Sequence, residues 1–482
     1  MALLGTFGCA PAPGDGGGSG GQTASGGSTS SGGAGPSSGG TSSGGTASGG
    51  ASGGGTSSGG SASGGTGAGA GGLPTSSCGD ACSNPPSGSC DAPEVRVTEV
   101  ELGIPVLNNE SETELEPLVL AAMPSGGARL GFMSDDGALH IAELDCQDAL
   151  VGSPFALPAH DFEDLAADEN GGVALLTRDA RGGGTLNCGE PANLCDGGPD
   201  PAIACHEMWM VRFDCDGTPS WETALTTSSA TLPPYSTGPE GPMSLMIWWY
   251  QHHGRLAYDG ENYAAYFGVA ISVSEDMCIN IHQGDRMKVV GPDGTPLDHP
   301  DDFGEWGVGC SHSWNTRIVW DEGAQKFVMV CATDNEGRVA LPDPYRTIYT
   351  PTDLSTLSVG DLVVAEGGLG YWATVSDVGT VHLLRFTDGL ADQDHAIASS
   401  DFSHLAAFGE HYMVAAWKDG DGIAAQVLSR ETGAKKGEAV TLPVPDNRYH
   451  WLETMADGSV AYAAPGTTPT SVRIARVLPC SE

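Results

Sequence analysis

The chain has 482 residues, and 61 Asp and Glu against 20 Lys and Arg give it a formal net charge of −41. So few cations oppose binding to nucleic acid, where affinity rests on Lys and Arg against phosphate, and oppose adsorption on anionic lipid headgroups. The longest apolar run, Met243–Tyr250, is far too short to cross a membrane as a helix.

Residues 1–9 form the first segment, in which Leu3-Leu4-Gly5-Thr6-Phe7-Gly8 precedes Cys9. An apolar stretch closed by a small residue before a cysteine resembles the end of a bacterial lipoprotein signal. The resemblance implies that Cys9 is acylated, becomes the mature N-terminus and anchors the chain in a membrane. Thr6 stands where that pattern usually has Leu, and no basic segment precedes it; a start codon placed too late explains the brevity and the missing charge. Ala10 after the cysteine resembles outer-membrane sorting, so the expected location is extracytoplasmic, at the outer membrane or cell surface.

Residues 10–77 are expected to be a tether. From Gly14 to Gly72 the chain is almost only Gly, Ser, Thr and Ala, with Asp15 as its one charge. Nothing apolar is present to offset the entropy of ordering, which predicts disorder. Such a coil spans on the order of 40–50 Å and reaches roughly 200 Å when pulled straight. Residues 78–93 follow as a neck containing Cys78, Cys82, Cys90 and Pro85-Pro86. The chain has 13 cysteines and no Cys-x-x-Cys pair, which favours disulfides over a zinc site. Setting Cys9 aside leaves an even number for pairing.

Residues 94–482 read as one all-β domain. Apolar strands recur in pairs around tight turns: Leu165-Ala-Ala-Asp168 leads to Val173–Leu176, Leu256-Ala-Tyr-Asp259 to Tyr263–Phe267, and Ile318-Val-Trp-Asp321 to Phe327–Val330. Leu405–Phe408 and Leu452–Met455 begin further copies, with looser ones at Leu118–Met133 and Leu362–Val375. A third strand usually follows, and no convincing amphipathic helix interrupts. Seven such meanders of about 40–60 residues predict a seven-bladed β-propeller; six or eight blades, or a β-sandwich array, are the alternatives. Val95–Val100 has no blade of its own, and the last unit lacks an outer strand. The N-terminal strand is therefore expected to complete the C-terminal blade and remove an exposed edge. Cys480, beside that closure, is expected to pair with Cys90 or Cys146.

Two insertions depart from the repeat: Gly182–His206, rich in Cys, Gly and Pro, and Thr226–His253, which ends in Met243-Ser-Leu-Met-Ile-Trp-Trp-Tyr-Gln-His-His253. Long loops on a rigid β-scaffold are where function concentrates. No nucleophile elbow, phosphate-binding Gly loop or His-Glu-x-x-His is present. His160, His252, His253, His312, His404 and His450 fall at or just before the first strand of a blade, the strand that lines a propeller's channel. Imidazoles in that arrangement suit copper or another transition metal. The pattern is loosely similar to the histidine-ringed copper centre of nitrous oxide reductase, although the offsets differ between blades and no cysteine copper motif accompanies them.

A second constellation joins Arg255, His282, Asp285, Arg286, Trp306, Trp314 and Arg317, in which aromatic faces beside charged groups suit a polar ligand such as a sugar. The turns at Asp214/Asp216, Asp298/Asp301/Asp302 and Asp419/Asp421 are candidates for Ca²⁺, though Asp-Gly is also the usual hairpin turn. The leading expectation is a cell-surface binding module on its tether, with a polysaccharide, protein or small polar ligand at the channel mouth. The alternative is an extracytoplasmic metalloenzyme built on the histidines. Both versions place His252, His253, His282, His312 and Arg317 in one pocket roofed by Met243–Tyr250.

Overall fold

Runs such as Val173–Arg178, Lys326–Thr333 and Tyr371–Asp377 are rich in branched and aromatic residues and span 6–8 positions between Asp or Gly turns. Side chains of this kind fit a pleated, buried surface. The computed structural model describes residues 86–107, 118–159, 163–178, 186–187, 204–205, 208–226, 254–275, 278–297, 310, 313–333, 337–342, 345–445 and 452–481. Within them the runs form seven four-stranded sheets. The only helical turns among the described residues are two short 3₁₀ segments, Leu354–Thr356 and Glu366–Gly368.

The seven sheets are the blades of a β-propeller. Blade 1 begins with the inner strand Leu118–Ala122, blade 2 with Asp164–Ala167, blade 3 with Gly254–Tyr258 and blade 4 with Ser313–Asp321. Blades 5, 6 and 7 begin with Ser358–Val364, Ser403–Phe408 and Glu453–Thr454. Each inner strand lies against those of the two neighbouring blades, and that of blade 7 lies against that of blade 1, so the ring closes. Blade 7 takes its outer strand from the N-terminal side: Val95–Glu101 pairs antiparallel with Ser471–Val477, from Val95↔Val477 to Glu101↔Ser471. This is the closure that the unpaired Val95–Val100 predicts.

The core is distributed between blades. Seven clusters of buried side chains each draw on two adjacent sheets. Met133 and Leu139 of blade 1, for example, pack with Val211 and Phe213 of blade 2. Each such side chain, fully buried, contributes about 1.5–3 kcal/mol. Polar pins cross the same interfaces. Tyr263 of blade 3 donates to Asp168 of blade 2 at 2.8 Å, and Tyr371 of blade 5 donates to Asp321 of blade 4 at 2.8 Å. In both pairs the Tyr opens a second strand, and the Asp stands at the end of the preceding blade's inner strand (Asp321) or directly after it (Asp168).

The neck docks beside the closure. Cys90 is bonded to Cys480, which decides between the two expected partners, and Cys146 is held in another disulfide. A short hairpin, Gly88–Ser89 with Ala92–Pro93, surrounds Cys90. Residues 282–287 lie within the strand Cys278–Val290, paired along its length with Tyr263–Glu275. Blade 4 has Arg338–Pro342 as its third strand.

Candidate functional site

The inner strands share a register. The repeat's branched residue faces the second strand at Leu165↔Leu175, Leu256↔Ala265, Ile318↔Met329, Leu362↔Ala373 and Leu405↔Ala415. The residue just before it is Asp164, Arg255, Arg317, Asp361 and His404 in blades 2 to 6, and Val119 in blade 1. In blade 7 the charged residue, Glu453, comes just after the branched residue Leu452. Adjacent inner strands converge on the axis, so these side chains form a polar ring around the channel.

The acids of the ring have a structural task. An inner strand is a sheet edge, and the N–H groups on its channel side have no ladder partner, which is costly once water is displaced. Asp164 Oδ2 accepts from the Leu256 N–H of the next blade at 2.7 Å, while its Oδ1 accepts from Leu165 N–H. Asp361 accepts from the Leu405 N–H of the next blade. Glu453 Oε1 accepts from the Ala122 N–H at 2.9 Å, across the seam between blades 7 and 1. In all three the acceptor lies one register position behind its donor.

The cations are committed to backbone. Arg317 donates through Nε to Gly360 O, through Nη2 to Val359 O and through Nη1 to Thr316 O, and its Nε stands 3.6 Å from Asp361 Oδ1. Arg255 Nη1 donates to Gly254 O and to Glu163 O of blade 2. The acids keep acceptor capacity. Asp361 Oδ2 is buried and accepts no hydrogen bond from the protein, and Glu453 engages the Ala122 N–H through one oxygen.

Electrostatics follow from that imbalance. Desolvation pushes the Glu453 carboxyl up to about 8, with the charges of Asp164 and Asp361 adding to the effect and the Ala122 N–H opposing it. Desolvation likewise pushes Asp361 up to about 6 against the pull of Arg317, His404 and Arg255. Asp164 is raised by burial, opposed first by Arg255. That these groups sense one another places them around one space.

That space is a cavity of about 450 Å³ lined by Asp164, Arg255, Arg317, Asp361 and Glu453 together with Leu120, Leu256, Ile318 and Tyr258. A second cavity of about 520 Å³ shares Asp361, Leu452, Glu453 and Thr454 with it. From the ring the lining runs along the inner strands to Pro124, Tyr258, Ala456 and Gly368. The described space thus extends toward the turns that end these strands, away from the strand starts where the loop histidines were expected.

The expected site residues separate. Arg255 and Arg317 line the cavity. Asp285 is fully buried in blade 3, where Tyr266 donates to it at 2.9 Å, and neither it nor Arg286 contributes to the cavity. His404 holds a ring position but is 2% exposed and packs against Tyr462 at 5.5 Å between ring centroids. Trp314 and His282 lie on strands Ser313–Asp321 and Cys278–Val290. Cys9, His160, His252, His253, Trp306, His312, His450 and the Met243–Tyr250 segment lie outside the described residues.

Among the described residues, one group of three metal-type ligands is close enough to share an ion, Asp285 with Cys310 and Cys331. The two sulfurs are joined to each other in a disulfide, and no histidine takes part. Of the calcium candidates, Asp214 accepts from Arg212 and Ser220, and Asp216 accepts from the Thr218 N–H.

No protein-family model matches the chain, and no curated protein matches it. Among solved structures it is similar to the WD40 domain of coronin from Toxoplasma gondii, at 9% identity and a TM-score of 0.42, covering 84% of this chain and 90% of that one. It is also similar to the Dos1 propeller, at 10% identity and a TM-score of 0.40, covering 74% and 78%. A third likeness is to the β-propeller domain of Cps50 (Swd1) from Myceliophteria thermophila, at 10% identity and a TM-score of 0.39, covering 77% and 99%.

Proposed function

We propose that this chain is a binding module, held outside the cell on a lipid-anchored Gly/Ser/Thr tether, and that its channel takes a cationic, hydrogen-bond-donating group of the ligand. One observation carries the proposal. In the ring, Arg317 and the Nη1 of Arg255 are turned to backbone carbonyls and Arg317 Nε stands 3.6 Å from Asp361 Oδ1, whereas Asp361 Oδ2 accepts nothing from the protein and Glu453 uses one oxygen. An ammonium or guanidinium placed between Asp361 and Glu453 supplies the missing donors and favours the ionised carboxylates. Leu120, Leu256, Ile318 and Tyr258 give the wall an apolar side against which an aliphatic stem packs. A lysine or arginine side chain of a partner protein, or a small alkylamine, has both features. The net charge of −41 raises the local concentration of any cationic partner.

Calorimetric titration with butylammonium and ethylguanidinium, and with butyrate as an anionic control, tests this. The cations are expected to bind and butyrate not to, with cation affinity falling at least about tenfold in Asp361→Asn and Glu453→Gln. Preferential binding of butyrate, or cation binding indifferent to both substitutions, contradicts the proposal.

A further inference from the structure

We propose that the Cys90–Cys480 disulfide and the neck around it form a load-bearing clasp, which diverts tension arriving through the N-terminal segment away from the strand that closes the propeller. The inference is independent of what the channel binds.

Beyond its backbone ladder, the closing strand Val95–Glu101 is tied down by Arg96, which pairs with the buried Asp148 at 2.9 Å, and by Glu99, which accepts from Thr467 and Ser471. It is an outer strand with one hydrogen-bonded neighbour, Ser471–Val477, and of its seven side chains only that of Val100 is buried. Its N-terminal end is also where the chain enters from the neck. Tension there acts first on Val95↔Val477 and then on each following pair in turn. Every pair in such a peeling geometry bears the whole load alone. Beyond Glu101, the described residues are held by Leu102 N–H to Thr470 O and Val106 N–H to Pro469 O on the blade 7 side, and by Leu107 N–H to Met133 O and Asp135 N–H to Pro105 O on the blade 1 side.

The disulfide sits at the end where peeling begins. Cys90 precedes Val95, Cys480 follows Val477, and the bond joins the two strands outside their first pair. A pull on residue 86 therefore enters both strands together, and Val95 cannot leave Val477 while the bond is intact. Backbone contacts reinforce the junction: Ser87 N–H to Pro479 O at 2.7 Å, Leu478 N–H to Glu94 O at 2.9 Å and Ser481 N–H to Gly88 O at 3.1 Å. The neck is also seated on the outer strand of blade 6, Lys435–Leu442. A Cβ on Gly437 would lie 1.8 Å from Asp91 O, so only glycine admits this approach.

Force spectroscopy on the full chain tests the clasp, with one handle at the N-terminus and the other on a labelled non-natural residue at Val378, an exposed position in blade 5. Oxidised wild type is expected to show no extension step before the propeller itself yields. Cys90→Ser/Cys480→Ser is expected to show an early, low-force step of about 100 Å, the extended length of the roughly 30 residues from the neck to Leu118. Reduction of folded wild type serves as the second route to the open clasp if the double variant fails to fold. An early step at equal force with the bond intact, or no early step in either opened form, overturns the proposal.

Discussion

Glu453→Gln keeps a carbonyl oxygen to accept from the Ala122 N–H and removes the titrating charge from the seam between blades 7 and 1. Burial, with Asp164 and Asp361 nearby, raises this carboxyl from 4.5 to about 8. Each pKa unit corresponds to about 1.4 kcal/mol, so the full shift sets a ceiling of about 5 kcal/mol. Glu453 is only half-buried, and screening in its cavity reduces the expected effect to about 1–2 kcal/mol.

The sign is determined by proton uptake. A carboxyl with a raised folded-state pKa holds its proton more tightly in the folded protein. Its contribution is fully present below the unfolded pKa of 4.5 and is lost as pH rises through about 8. Asp361, raised to about 6, acts in the same direction over a lower range. Urea unfolding at about pH 5 and about pH 8.5, at constant ionic strength, reads the difference. Glu453→Gln should gain about 1–2 kcal/mol over wild type between the two conditions. Parallel pH profiles for the two proteins would refute the reasoning.

Asp148 is fully buried at the blade 7–blade 1 interface and pairs with both Arg476 and Arg96. Asp148→Asn, which keeps the shape and tolerates the positive φ of 65°, should cost roughly 3–5 kcal/mol in chemical denaturation, and near-native stability would contradict the pairing. Tyr371→Phe removes the pin to Asp321 and should cost about 1 kcal/mol, measured by the same assay. Tyr263→Phe should cost less, because Asp168 keeps the two contacts from Arg212. Gly437→Ala should unseat the neck and speed proteolysis between residues 86 and 94, while leaving the blades resistant; an unchanged cleavage rate there would show that the neck is not docked through this contact.

The blades are legible in sequence because an inner strand, an Asp or Gly turn and a second apolar strand repeat with a constant register. The closure is legible for a related reason, since Val95–Val100 is a strand without a blade and the last meander is a blade short of a strand. The ring is only half legible. Arg255 and Arg317 stand out in a chain with 20 basic residues, whereas Asp164 and Asp361 occupy the same position unnoticed among 61 acids. The readable signal is positional: each lies one residue before the repeat's branched aliphatic. Glu453 escapes even that rule, since it comes after Leu452, in an inner strand only two residues long. The long hairpin of blade 3 is hidden by Gly284 and by polar residues from Asn280 to Arg286, which read as loop in isolation and become strand through pairing with Val269–Ser272 and their neighbours. The choice of Cys90 for Cys480 depends on proximity across 390 residues of sequence, which spacing alone does not reveal.

The most direct measurement is the number of protons released when a cation enters the channel, obtained from butylammonium titrations at pH 7 in buffers of different ionisation enthalpy. Burial raises the Glu453 carboxyl toward about 8, so part of the population carries a proton at that pH. Binding that ionises Glu453 should therefore release protons in wild type and clearly fewer in Glu453→Gln. Cation binding without proton release in wild type, or with equal release in both proteins, would show that the ring at the channel's centre is not where the ligand's charge is received.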